Sequence, residues 1–202
     1  ITSSFPTDNR IGGIWIPDLI HALNDMGCRV HVLTQNCDQP RTESSSLWEG
    51  CDITYFSWHG GSIPLIDIIS KLTFINLLKV GHFFLSGIIA GEKICRLWKP
   101  DFILAEWIVP GGLIALTVSL LTGVPYAVRA LGSDVLVATD KKMFRPFIRF
   151  VATHATVLFA DGFDLCRKTS ALASSKACHF APTNRQLTGK RSDFMIPEDA
   201  GF

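Results

Sequence analysis

Charge is scarce in this sequence. Asp, Glu, Lys and Arg make up 18% of its 202 residues, against roughly 25% in a typical soluble domain. Basic and acidic residues nearly cancel, 19 against 18, so there is no global positive field of the kind that draws nucleic acid. Any anion site has to be local. No Cys-x-x-Cys pair occurs among the cysteines at 28, 37, 51, 95, 166 and 178. His21, His31, His59, His82 and His154 show no metal-ligand spacing. A disulfide framework and a zinc site are thereby unsupported, and the thiols read as reduced, mostly buried groups of a cytosolic fold. Three nucleotide and hydrolase signatures are also missing. There is no Gly-x-Gly-x-x-Gly dinucleotide fingerprint, no Gly-Lys-Ser/Thr phosphate loop and no Gly-x-Ser-x-Gly elbow. A nucleotide-binding oxidoreductase and a serine hydrolase both lose their main support.

The opening Ile1-Thr-Ser-Ser-Phe-Pro6 lacks the basic and apolar regions of a secretory leader. A single apolar residue before a polar loop reads as the tail of a first strand whose beginning is lost. The most membrane-like window is 72–91, with Lys79 its sole charge. Gly81, Gly87, Gly91, Asn76, His82 and Ser86 interrupt it, and its length is at the lower margin for crossing a bilayer, so a buried helix is expected. Residues 102–122 are apolar too, but Glu106 and Pro110-Gly111-Gly112 divide them into strand, loop and helix.

What is present is a regular alternation of strand and helix signals. Ile14 to Met26 carries apolar residues at 16, 19, 20, 23 and 26, the stripe of a one-sided helix that Gly27 ends. Strands are expected over 28–33, 51–58, 101–107, 126–130 and 156–160. Helices are expected over 64–96, with a break near Gly81 or Gly87, and over 112–121 and 141–153. Residues 35–50 read as polar and turn-forming. The rhythm describes an α/β fold, a Rossmann-like three-layer α/β/α arrangement with a mostly parallel sheet. Its ligand site lies beyond the carboxyl ends of the strands, which directs attention to the loops 3–13, 35–39, 57–63, 107–112, 131–140 and 161–164.

Three segments there carry candidate chemistry. Arg10-Ile11-Gly12-Gly13 precedes the first helix, and backbone N–H groups at a helix start, approached closely where no Cβ intervenes, suit a phosphate or a sugar. Glu106 closes a strand, where its carboxylate could meet a substrate hydroxyl or serve as a cap or ion-pair partner. Pro125 to Asp134 is a strand-like run that stops at Gly132-Ser133-Asp134, a turn suited to a ligand-facing loop. A fourth segment, Lys141 to Arg149, interleaves basic and aromatic residues and reads as a solvated helix, as a peripheral membrane contact or as a site for an acidic acceptor.

Read in order, several phrases resemble the N-terminal half of retaining glycosyltransferases of the GT-B fold, specifically the group 1-like glycosyltransferase family 4, which includes sucrose synthase-like, mannosyl- and glucosyltransferase members. They are Ser3-Ser-Phe-Pro6 with Gly12-Gly13, Leu23 to Thr34, Lys99-Pro-Asp101 leading to Ala105-Glu-Trp107, Pro110-Gly-Gly-Leu113, and Gly123-Val-Pro125 running to Gly132-Ser-Asp134. The resemblance implies transfer of a sugar from a nucleotide-sugar donor to an acceptor, with retention, no metal and no bound cofactor. It implies an acceptor-side domain over 1–192, and over 193–202 the start of a crossover to a donor-binding domain that this sequence lacks. On that basis the piece alone is expected to be inactive. Gly12 and Gly13 match the loop near the donor diphosphate, and Gly132, Ser133 and Asp134 the strand end beside the cleft. Arg10 and Arg129 are local candidates for charge or acceptor contacts. Implied partners are the protein's own C-terminal domain, a nucleotide sugar and a saccharide, lipid-linked or small-molecule acceptor. The implied setting is carbohydrate or cell-envelope biosynthesis in the cytoplasm, with possible contact at the membrane through 141–149. Two positions depart from the family pattern. Leu131 stands where many members have a histidine that contacts the reacting sugar, and Glu106 stands where relatives often read histidine. A non-catalytic sugar-binding or regulatory protein on the same scaffold is therefore the alternative.

Overall fold

A computed structural model describes residues 1–6, 12–36, 44–48, 50–61, 65, 68, 71, 73–140 and 144–183. Helix α1 (Ile16–Asp25) starts with a proline in its first turn and Asp18 beside it, both favourable at a helix start. It gives way to Gly27 at φ +81°, a left-handed turn that suits glycine. The chain then forms β1 (His31–Gln35), β2 (Ser44–Trp48) and β3 (Cys51–Phe56). β3 pairs parallel with β1 and antiparallel with β2. The long helix α2 (Phe74–Trp98) follows. After it come β4 (Ile103–Glu106), α3 (Gly112–Thr122), β5 (Tyr126–Ala130), α4 (Ser133–Asp140), α5 (Arg145–His154), β6 (Val157–Ala160), α6 (Phe163–Leu172) and β7 (Cys178–Phe180). Strands β4 to β7 form a second, wholly parallel group in the order β4-β5-β6-β7.

Residues 1 and 2 join the two groups. The Thr2 N–H donates to the Leu33 carbonyl at 2.9 Å, and the Glu106 N–H donates to the Ile1 carbonyl at 2.9 Å. The Ile1 nitrogen donates to the Leu104 carbonyl at 2.6 Å. That pattern is a parallel ladder opposite Ala105, so this short segment lies between β1 and β4.

Alternation along the strands builds two cores. On one face, Val32, Cys51 and Ile53 pack with Phe5, Ile16 and Ile20 beneath α1. On the other, Leu33, Phe56, Ala105, Val128 and Leu158 pack under α2, α3 and α5. The α/β/α layering, the parallel sheet and most element positions thus agree with the sequence reading. Five elements differ from it: α6 and β7 lie beyond the last strand that the sequence reading placed, and three more depart as follows. β2 falls in the stretch read as turn-forming, and α4 falls in the stretch read as a loop. Helix α2 starts at Phe74, behind an extended Thr73, rather than at residue 64, and runs unbroken through Gly81 and Gly87. Gly87 and Gly91 are contact points rather than breaks: a Cβ would stand 2.7 Å from Cδ1 of Ile114 at Gly87 and 2.8 Å from Cγ2 of Val118 at Gly91.

Window 72–91 is accordingly helical from Phe74 onward, but it is only half of a buried helix. Phe83, Gly87, Ala90 and Gly91 are buried, whereas Phe74, Ile75, Leu77, Leu78, Leu85 and Ile89 are exposed. Of the cysteines, Cys51, Cys95 and Cys166 are buried free thiols and Cys28 is exposed. Cys37 lies outside the described residues.

Candidate functional site at the carboxyl edge of the sheet

The candidate edge lies where the segment 1–6, β4 and β5 end. Gly12 and Gly13 form the turn into α1. Gly13 is buried at φ +76°, and a Cβ there would stand 2.4 Å from the carbonyl oxygen of Ser4. Gly12 is exposed, and its missing Cβ would stand 3.2 Å from Ser4 Oγ. The turn is therefore seated directly on the chain leaving the first strand. Arg10 lies outside the described residues.

Beyond β4 the chain turns sharply through Trp107–Gly111. Trp107 holds φ +64° and Val109–Pro110 is cis. A bulky residue at positive φ is uncommon and clusters at functional sites. The Trp107 ring lies 5.7 Å from that of Trp15, tilted by 59°. The indole Nε1 of Trp15 is buried with no hydrogen-bond partner among the described residues. Of these two indoles, one before α1 and one after β4, motif reading passed over Trp15 and named Trp107 only as part of the loop 107–112, without a site role. Their signal was present, since both flank the glycine turns that it did select.

Asp134 fixes this loop. Its Oδ2 accepts the Ile108 N–H at 2.7 Å, and its Oδ1 accepts the Val135 N–H at 3.1 Å. The carboxyl group is buried, which raises its pKa above the ordinary aspartate range, although its backbone N–H donors pull the other way. Asp134 thus faces the backbone of the neighbouring loop. Ahead of it, Leu131 is half-buried, Gly132 turns at φ +101° and Ser133 is exposed.

Glu106 and Arg129 sit opposite each other on β4 and β5. Arg129 Nε donates to Glu106 Oε2 at 3.0 Å, and Nη2 stands 2.8 Å from Oε1. The second contact is an ion contact without hydrogen-bond alignment, since both of its atoms lack a hydrogen-bond partner. The side chains are 6% and 5% exposed. Each is therefore the other's partner, next to the Trp107 turn and buried beneath the edge.

A second polar cluster stands at the end of β3. His59 Nδ1 and His82 Nδ1 are 2.8 Å apart. His82 Nε2 lies 3.3 Å from Ser86 Oγ, which is 3.4 Å from Ser57 Oγ. Burial and, secondly, His59 lower the His82 pKa. Spacing in the sequence could not reveal this pair, because a loop residue meets a helix residue. No group of three or more metal-ligating side chains occurs among the described residues. In the basic aromatic segment, Phe147 and Phe150 are exposed on α5, and Arg149 Nη2 donates to Ser174 Oγ at 3.2 Å. Residues 141–143 lie outside the described set.

Comparison with known proteins agrees with this architecture. The family described as Glycosyl transferase 4-like domain matches residues 13–164. No curated protein sequence matches the chain. Two solved structures of sucrose-phosphate synthase from Thermosynechococcus elongatus are similar in fold. One has a TM-score of 0.59 at 14% identity over 87% of this chain and 86% of that one. The other has a TM-score of 0.59 at 13% identity over 90% of this chain and 43% of that one, so the chain spans less than half of the longer structure. The chain belongs to the glycosyl transferase 4-like domain family, and its fold is that of a GT-B glycosyltransferase domain.

Proposed function

We propose that the chain is the acceptor-side domain of a retaining glycosyltransferase that draws its sugar from a nucleotide-sugar donor and works together with a donor-binding domain. The observation that carries the acceptor-side assignment is the meeting of Gly12–Gly13, Trp15 and Trp107 at the carboxyl edge. Two indole rings give a saccharide ring an apolar surface on which to stack. The Trp15 N–H, buried without a partner among the described residues, is a donor that a sugar hydroxyl or phosphate oxygen would satisfy. Gly12, exposed and without a Cβ, lets the same ligand approach the backbone ahead of α1 closely.

In this reading Asp134, Glu106 and Arg129 position rather than react. Asp134 holds the Ile108 amide and so the Trp107 turn, and the Glu106–Arg129 pair fixes the two strands beneath it. Preorganisation of this kind lowers the ordering cost of binding. The developing charge of the transition state would be met mainly by the partner domain. No metal or bound cofactor is assigned.

The test is transfer by the enzyme comprising this chain and its donor-binding domain, across a panel of nucleotide sugars, with product stereochemistry read by NMR. Retention is expected. Trp107→Ala is expected to raise the acceptor KM about tenfold or more, since lost stacking and burial are worth ~1.5–3 kcal/mol. Absence of turnover with every donor, in folded protein, would overturn the enzyme reading. It would favour a sugar-binding role instead, for which the observation is Leu131, a side chain unable to hydrogen-bond at a strand end beside the site.

A further inference from the structure

We propose that the first two turns of α2 form a membrane-docking tip that seats on an anionic lipid surface. The inference stands apart from sugar transfer, because vesicle binding is read without any donor or acceptor. Contacts along α2 fix where the helix lies. Gly91 packs beside Leu33 within β1, and Gly87 lies beside Phe56 at the last residue of β3. His82 already meets His59, beyond the strand end. The helix therefore runs antiparallel to the strands, and Phe74–Gly81 overhangs the carboxyl edge of the sheet by roughly 12 Å, at ~1.5 Å per residue.

That overhang is apolar where a surface helix is ordinarily polar. Phe74, Ile75, Leu77 and Leu78 are 75%, 65%, 61% and 58% exposed. At about 100° per residue they spread over an arc of roughly 160°, and Leu85 and Ile89 continue the outer stripe. Farther on, the same outer face becomes charged at Glu92, Lys93 and Arg96. Exposed apolar residues are thus concentrated toward the end nearest the candidate site, with Leu97 standing alone at the other end. Helix α2 as a whole is long and apolar enough to cross a membrane, but its inner face is committed to the sheet and to α3. Lying on a bilayer, with the tip inserted, is the arrangement that leaves those contacts intact.

Charge selects the occupant. From residue 68 to residue 91 the sequence has no Asp or Glu, while Lys71 and Lys79 flank the apolar arc. Lysines at the rim of an apolar patch can extend to phosphate headgroups while their stems stay with the acyl chains. Side chains radiating over so wide an arc suit a fluid surface that closes around them better than a rigid groove.

The experiment is co-sedimentation of the full chain with vesicles of phosphatidylcholine alone and of phosphatidylcholine mixed with phosphatidylglycerol. Binding is expected to the mixed vesicles and to weaken with salt. Phe74→Ser/Leu78→Ser should lower the partition coefficient at least about tenfold. Lys71→Glu/Lys79→Glu should abolish the preference for the anionic lipid, each reversal being worth about fivefold or more. Leu120→Ser, an exposed leucine near the far end of α3, should leave binding unchanged. Circular dichroism and melting temperature verify that each variant is folded. Failure to bind anionic vesicles, or equal loss with Leu120→Ser, would overturn the proposal. So would a dimer in lipid-free solution that Phe74→Ser/Leu78→Ser dissolves, because the tip would then be an interface between copies.

Discussion

Gly13 is the residue on which the candidate edge turns most directly. Its φ of +76° disfavours any side chain, and the atom that a Cβ would strike is the Ser4 backbone carbonyl, 2.4 Å away. Backbone cannot swing aside as a side-chain tip can. Gly13→Ala should therefore destabilise by more than ~1 kcal/mol in urea unfolding, and equal stability would show that the turn is not held as described. The Glu106–Arg129 pair makes a different demand. Removing one partner leaves a buried charge uncompensated, so Arg129→Met should cost about 3–5 kcal/mol. Glu106→Leu/Arg129→Met together should recover most of that loss. If the double variant is as unstable as the single one, the pair is not a closed unit. Sequence reading found both residues as candidates but could not see that they face each other, because strand register is fixed only once the helices between the strands have packed.

Helix α2 carries the clearest contrast between two identical residues. Gly81 has no atom within 4 Å of a would-be Cβ, whereas at Gly91 the Cβ would stand 2.8 Å from Val118 and 3.3 Å from Leu33. Gly81→Ala should stabilise by up to ~1 kcal/mol through helix propensity alone. Gly91→Ala should destabilise by about 1–3 kcal/mol, since a β-branched neighbour has no free rotamer into which to retreat. Thermal melts of the two variants should move in opposite directions, and movement in the same direction would refute this account of the helix. The pair also explains what the sequence could and could not tell. Apolar period and glycine punctuation located α1, α3, β3 and β5 well, because there each local signal agrees with its tertiary role. They misread α2 as broken, since a glycine that serves close packing is indistinguishable in sequence from one that serves a turn. They missed β2, whose Ser44-Ser-Ser46 lacks alternation and whose strand state comes from pairing with β3. They passed over α4, whose start coincides with the Gly132-Ser133-Asp134 turn, and they placed neither α6 nor the three-residue β7.

For the molecule as a whole, the His59–His82 contact couples stability to acidity. Burial, with His59 second, lowers the His82 pKa below its ordinary value of 6.5. A base with a lowered folded-state pKa contributes stability that is complete above the unfolded value and is lost as pH falls through the folded one. Melting temperature should therefore decline as pH drops below about 6.5. His59→Gln, which removes the second of the two causes that lower the pKa, should make that decline shallower. Superimposable profiles for the two proteins would rule the pair out as its source.

The ladder made by Ile1 and Thr2 governs how the protein can be handled. A chain cut to begin at Ile1 places its terminal ammonium between strands, where burial lowers its pKa to about 6 despite the attraction of Glu106. Any affinity tag attached directly at that point emerges in the middle of the sheet rather than from its rim. Upstream residues able to continue a strand would replace the buried ammonium with a neutral amide, whereas a proline there would remove the hydrogen-bond donor. Where a tag is fused thus decides whether the two halves of the sheet stay stitched.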